Sequence, residues 1–268
     1  MTYHGVNGHT VSLHVRGRAR VTPAPVTASA GNPCERSVSK PLMITAILWD
    51  MDGTMVDSEP LWGIATYELS EKLGRRLTPQ LRETTVGGSF ANTLAVCATH
   101  AGVSVDAAQA KELHDAMFAR VRELFDAHLV PRPGVRELLT ELAHNDVPMM
   151  VTTNTERQLA DPSIDAVGRS FFRGSIAGDE VPAPKPAPDM YLAAAHSLGV
   201  APADCLVFED SAAGMAAAAQ AGCRVIGLPE DPDAPLPAGA LSMRELCGTR
   251  SFEGVRAADV ERWYQLFA

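Results

Sequence analysis

Short apolar runs that stop abruptly in polar turns recur along the chain, and between them apolar residues return at three- and four-residue spacing. Ile44 to Trp49 is the first run. It is short, almost wholly apolar and bounded by turn residues, which predicts a strand buried on both faces. Val147 to Val151, Ser175 to Ala177, Cys205 to Phe208 and Arg224 to Gly227 read the same way. Helical spacing marks Leu61 to Leu73, with Leu61, Ile64, Ala65, Leu69 and Leu73 on one face and Gly74 as the stop. Further helices are predicted over Phe90 to His100, Asp106 to His128, Val135 to His144, from Glu156 onward, and over Asp189 to Leu198 and Ala212 to Ala221. Leu241 to Leu246 and Val255 to Phe267 read as closing helical pieces.

Strands alternating with helices through connections of this length predict an α/β fold with a parallel sheet covered on both faces. Between the first strand and the rest lies a stretch that is helical throughout. The expected organisation is therefore an α/β core from 43–58 and 131–268, interrupted by an all-helical insert over 59–130. Residues 1–42 are rich in Gly, Pro, Ser, Thr and Ala, with sparse apolar residues of no period. They are expected to be a disordered basic tail, or to precede an alternative start near Met43. His4, His9 and His14 are spaced by five, on no common helical or strand face, which argues against a metal site there.

Charge sharpens this division. The 268-residue chain carries a formal charge of −9. Residues 1–40 hold Arg16, Arg18, Arg20, Arg36 and Lys40 against Glu35, a balance of about +4, so the remainder stands near −13. An acidic body argues against nucleic-acid partners. Five cysteines without a Cys-x-x-Cys pair fit reduced thiols in a cytoplasmic protein. No apolar run reaches eighteen residues and no apolar leader opens the chain, so no membrane partner or signal peptide is expected.

The candidate chemistry sits at strand ends. Asp50 and Asp52 follow the first strand two residues apart. Like charges at that spacing raise each other's pKa unless a cation or proton lies between them, so the pair asks for a metal, a proton-transfer role, or both. Thr153 and Asn154 end another strand, and Glu209 and Asp210 a third. In a parallel sheet these ends share one edge and can converge. Four carboxylates suit a hard cation such as Mg²⁺, which takes one or two carboxylates, waters and a substrate phosphate. Lys185 lies in the stiff run Pro182-Ala183-Pro184-Lys185-Pro186, placed to aim an ammonium at developing phosphoryl charge.

In order along the chain, Asp50-Met51-Asp52-Gly53-Thr54, Thr153, Lys185-Pro186 and Glu209-Asp210-Ser211 with Gly214 resemble the four motifs of the haloacid dehalogenase superfamily, over roughly 44–227. Asp57-Ser58-Glu59-Pro60-Leu61-Trp62 and Pro133-Gly134-Val135 are similar to the cap-bearing phosphatases and phosphoglucomutases within it. The resemblance implies a Rossmann-like core with a helical cap at 59–130. It implies a phosphatase that passes through an aspartyl-phosphate and acts on a small phosphorylated metabolite, sugar or sugar-alcohol phosphate in kind. A sugar phosphomutase is the alternative, and a non-catalytic binding protein the remote one. By position, Asp50 would be the nucleophile and Asp52 the proton carrier. Thr153 and Asn154 would hold phosphoryl oxygens, and Lys185 would neutralise charge. Mg²⁺ would rest on Asp50, the Asp52 carbonyl, Asp210 and Glu209. Glu59 and Ser89 are the expected cap-side substrate contacts, and the protein is expected to be a monomer or weak dimer. Two departures favour hydrolysis over the mutase reaction: Trp62 stands where the mutases have a histidine, and Phe90 follows Gly87-Gly88-Ser89 where they have a phosphate-gripping arginine. Trp62 itself reads as a core residue.

Overall fold

The protein is described by a computed structural model over residues 43–267; the tail expected over 1–42 lies outside the described residues. Six strands, β1 (Ala46–Trp49), β2 (Met149–Thr152), β3 (Gly174–Ile176), β4 (Cys205–Glu209), β5 (Arg224–Gly227) and β6 (Leu241–Ser242), form one sheet in the order β3-β2-β1-β4-β5-β6. Every pairing is parallel. β1 lies between β2 and β4, with Leu48 opposite Met150 and Val207. A central position with both faces covered explains why its four residues are all buried and all apolar.

Alternate side chains of each strand feed two separate cores. Ile47, Trp49, Met149, Val151, Leu206 and Phe208 face α5 (Val135–His144) and α10 (Ala257–Gln265). Ala46, Leu48, Met150 and Val207 face α7 (Asp189–Leu198) and α8 (Ala212–Gln220). Trp49 stacks on Phe208 with ring centroids 4.6 Å apart, and Phe252 meets both rings edge-on. Truncating a ring as buried as Trp49 costs on the order of 3–5 kcal/mol.

Residues 59–130 fold as α1 (Glu59–Lys72), α2 (Pro79–Glu83), α3 (Phe90–Ala101) and α4 (Ala107–His128) around their own apolar cluster. Leu61, Ala65, Leu69, Leu113, Met117, Val121 and Phe125 belong to it, and Leu159 of α6 (Arg157–Val167) joins from the sheet side. The segment leaves and returns at one place. Val56 bridges Pro131, Arg132 N–H donates to the Met55 carbonyl at 2.8 Å, and Asp57 N–H to the Val130 carbonyl at 3.4 Å. α4 starts where Asp106 and Gln109 cap each other reciprocally, a local signal that fixes its first turn.

Three local expectations differ from the structure. α2 is too short to show a helical period, but Thr78 caps it through its hydroxyl and Pro79 opens it. Ile64 is exposed, and Thr66 is buried in its stead, because α1 turns that face toward a cavity. Leu241–Ser242 pairs with Ile226–Gly227 as an edge strand before α9 (Met243–Cys247), where a single helix was expected. Two residues carry too little pattern to separate strand from helix.

Candidate active site

All six strands point the same way, so Asp50 after β1, Thr153 after β2 and Asp210 after β4 meet at one sheet edge. They line a cavity of about 200 Å³ whose opposite wall is the helical segment, through Glu59, Trp62, Arg82, Ser89, Phe90 and Phe118.

Asp50 is buried and takes a hydrogen bond from Lys185 Nζ on Oδ1 at 2.7 Å. Its Oδ2 is enclosed without a protein partner. Burial, then the charge of Glu209, push the Asp50 carboxyl up to about 7 against the pull of Lys185. Asp210 is likewise raised well above the carboxylate range, by burial and by Asp50 and Glu209. Oxygens of Asp50, Glu209 and Asp210 lie within 4.8 Å of one another. An orphaned buried carboxylate oxygen in an all-oxygen cluster of like charges fits a hard divalent cation.

Glu209 is fully buried with both oxygens engaged by the protein. Oε1 accepts from Lys185 Nζ at 2.5 Å and from the Tyr191 hydroxyl at 2.9 Å; Oε2 accepts from Ser211 N–H at 3.1 Å and Ser211 Oγ at 3.0 Å. This environment anchors the lysine. Burial alone would pull the Lys185 ammonium down, but Asp50 and Glu209 hold it well above its ordinary value. The Thr152 carbonyl takes a further Nζ bond at 3.0 Å, so all three ammonium protons are committed.

Asp52 collects four donors. Ser58 Oγ at 2.6 Å and the Trp62 indole N–H at 3.3 Å reach Oδ1; Thr155 Oγ1 at 2.7 Å and Thr153 Oγ1 at 3.3 Å reach Oδ2. Two come from the start of the helical segment and two from the end of β2. Asn154 turns both ends of its amide to the backbone of Lys185, accepting from its N–H at 2.8 Å and donating to its carbonyl at 3.2 Å. The amide thus fixes the lysine loop. Glu59 and Ser89 both line the cavity; Ser89 also caps α3 through Asn92 N–H. Sequence reasoning did not single out Ser58, Thr155, Tyr191 or Arg82. Nothing in a lone hydroxyl or a buried tyrosine announces a partner distant in sequence. Trp62 is half-buried, its ring edge-on to Phe118 and Phe125 and its N–H on Asp52, so it combines the expected packing with a polar contact.

Two glycines make the cluster possible. Gly53 has φ +78°, and a Cβ there would stand 2.0 Å from Asp210 Oδ2. A Cβ on Gly214 would stand 1.6 Å from Glu209 Oε1. Gly53→Ala must displace either the Asp50–Asp52 loop or Asp210. We expect kcat to fall by about 10²-fold or more with the circular dichroism spectrum kept, since a displacement near 1 Å costs that much at a reacting centre. Wild-type kcat in that variant would show that the loop is not held as described.

Comparison with known proteins agrees with this geometry. Residues 44–222 match the model of the haloacid dehalogenase-like hydrolases. Protein CbbY of Rhodobacter capsulatus is 34% identical over 200 residues, covering 70% of this chain and 86% of that protein. A phosphorylated carbohydrates phosphatase of Thermotoga maritima is 30% identical over 207 residues, covering 74% of this chain and 93% of that protein. Among solved structures, CbbY of Rhodobacter sphaeroides in complex with xylulose-1,5-bisphosphate superposes with a TM-score of 0.70 at 26% identity, covering 81% of this chain and 99% of that one.

Proposed function

Because the chain belongs to the haloacid dehalogenase-like hydrolases, we propose that it is a Mg²⁺-dependent phosphatase of small phosphomonoesters, sugar or sugar-alcohol phosphates in kind. The observation that carries the reading is Asp50: a buried carboxylate with one oxygen held by Lys185 and the other without a protein partner, lining a cavity at the strand ends. A relative named as a phosphatase of phosphorylated carbohydrates supports the substrate class.

In this reading the Asp50 carboxylate attacks phosphorus and the ester oxygen leaves, giving an aspartyl-phosphate. Asp52 gives a proton to the leaving oxygen and then takes one from the water that releases phosphate. Its donors from both sides of the cavity set where that proton passes. Lys185 neutralises charge on Asp50 and the phosphoryl oxygens, and Glu209, Tyr191 and Asn154 hold the lysine in place. Thr153 and Thr155 orient Asp52, and the Thr153 hydroxyl borders the phosphoryl position. Asp50, Asp210 and the Asp52 carbonyl are the groups that would hold Mg²⁺; Glu209 borders them with its oxygens taken. When bound, the cation offsets the crowded negative charge and draws electron density from the phosphoryl group. The segment 59–130 acts as a cap that closes over substrate and excludes water, hinged at Val56 and Pro131. Phe90, packed against His114 and Phe118, offers no charge to a second phosphate, which favours hydrolysis over mutase chemistry. No described helix is long and apolar enough to cross a membrane; a cytoplasmic monomer or weak dimer completes the proposal.

Phosphate release across a panel of phosphorylated metabolites, with and without EDTA, tests the reading: turnover of a sugar or sugar-alcohol phosphate that EDTA abolishes is expected, and EDTA-resistant turnover contradicts it. The cation also competes with protons. Asp50 is pushed up to about 7, so below that pH its carboxyl is protonated until the cation displaces the proton. Calorimetric Mg²⁺ affinity should therefore weaken as pH falls below 7, by about tenfold per unit for each proton displaced. An affinity constant between pH 5 and 7 would contradict the assigned ligands.

A further inference from the structure

The cap side of the cavity holds a charge pair that the reaction does not use. Glu59 opens α1, and Arg82 lies in α2, twenty-three residues away in sequence. Arg82 is 9% exposed. One terminal nitrogen donates to Glu59 Oε2 at 2.9 Å and to the Glu59 carbonyl at 3.3 Å; the other donates to Thr85 Oγ1 at 3.3 Å. Both partners line the cavity, beside the buried hydroxyls of Thr66, Thr85 and Thr93.

We propose that the Glu59–Arg82 pair makes the enzyme selective for phosphomonoesters whose body is uncharged and hydroxylated, and turns away those that carry a second phosphate or a carboxylate at the cap end. The proposal rests on the phosphatase reading above. Among the described residues that line the cavity the cations are Lys185 and Arg82, against six carboxylates. Lys185 is committed to Asp50 and Glu209 beneath the reacting phosphoryl group. Arg82 is the one cation within reach of the substrate body, and Glu59 has neutralised it. An anionic group placed there meets the Glu59 carboxylate directly. Recruiting Arg82 would break a mostly buried pair and strand Glu59, which burial already pushes up despite Arg82. A hydroxyl meets no such conflict: it donates to the Glu59 oxygen that Arg82 leaves open and accepts from a neighbouring threonine. Selectivity here comes from a repulsive element as much as an attractive one.

The test compares kcat/KM of the full chain with Mg²⁺ on a hexitol monophosphate, a hexose bisphosphate and phosphoglycolate, with an aryl phosphate as a general reporter. The expected preference for the hexitol monophosphate over each anionic-bodied substrate is roughly tenfold or more. Glu59→Gln unmasks the Arg82 charge, so the bisphosphate should gain on the monophosphate by about tenfold, through its KM. Glu59→Gln with Arg82→Met has no charge to unmask and should lack that gain. Equal or better turnover of the bisphosphate by wild type overturns the proposal, whether or not the variants fold. So does an unchanged ratio in folded Glu59→Gln. No turnover of any phosphomonoester, the aryl phosphate included, overturns the phosphatase reading and the proposal with it.

Discussion

Asp50→Asn is expected to lower kcat for phosphate release by at least about 10⁴-fold, the scale on which loss of a nucleophile is felt. The amide keeps the shape of the carboxylate and can still accept from Lys185 through its oxygen, but it has no lone pair fit to displace an ester oxygen. The substitution also removes one of the crowded negative charges at the strand ends. Burial and Glu209 hold the Asp50 carboxyl up to about 7, which is the mark of an ionised form kept at a cost. The variant should therefore unfold at the wild-type temperature or above it, a trade of activity for stability common at such sites. Substrate affinity, read by calorimetry, should stay within a few-fold. A variant that retains a tenth of wild-type turnover, folded and free of wild-type contamination, would mean that another group attacks phosphorus.

Lys185→Met is the second large effect, and it strikes stability as well as rate. The ammonium is 2% exposed at its side chain and bridges Asp50 and Glu209. Removing it leaves two buried carboxylates uncompensated. Loss of one partner of a buried ion pair costs roughly 3–5 kcal/mol, which in a domain of this size lowers Tm by on the order of 10 °C. The pH dependence has a definite sign. Burial already holds Asp50 up to about 7, and without the lysine's pull it sits higher still, so between the unfolded value near 4 and the raised folded value the folded state binds more protons. Stability of the variant then falls as pH rises through that window, and its deficit against wild type shrinks in acid. A scanning-calorimetry Tm deficit that is the same at pH 5 and pH 8 would show that the lysine contributes packing rather than charge.

Much of this was legible in the residues. β1, β2, β4 and β5 are apolar runs that stop at polar turns, and a parallel sheet turns those stops into one edge. Asp50, Thr153, Lys185 and Asp210 converge there because each follows such a strand or a stiffened loop. The rest depended on side-chain direction. Asp52 was legible as a carboxylate, but its partners Ser58 and Thr155 are ordinary hydroxyls until the fold brings them to 2.6 and 2.7 Å. Glu209 was legible as a carboxylate beside Asp210, and its oxygens lie within 4.8 Å of those of Asp50 and Asp210; its contacts with Lys185, Tyr191 and Ser211 are what no strand pattern announces. Asn154 lines the cavity, and its bonds to the Lys185 backbone are a further contact that its place after β2 does not announce. Arg82 lay hidden because a five-residue helix shows no period and its partner Glu59 belongs to another helix. Periodicity locates elements; it does not say where a long or polar side chain ends.

The covalent step is the centre of the account, and Asp52→Asn isolates it. With no carboxylate to take a proton from water, the second half-reaction should stall and the phosphoryl group should remain on the enzyme. Wild-type and Asp52→Asn protein would be mixed with a turned-over phosphomonoester carrying a good leaving group, quenched in acid and mapped by peptide mass spectrometry. One added phosphoryl group is expected on the peptide that holds Asp50, abundant in Asp52→Asn and scarce in wild type. Phosphate release without any such adduct, or an adduct on a peptide that lacks Asp50, would contradict it.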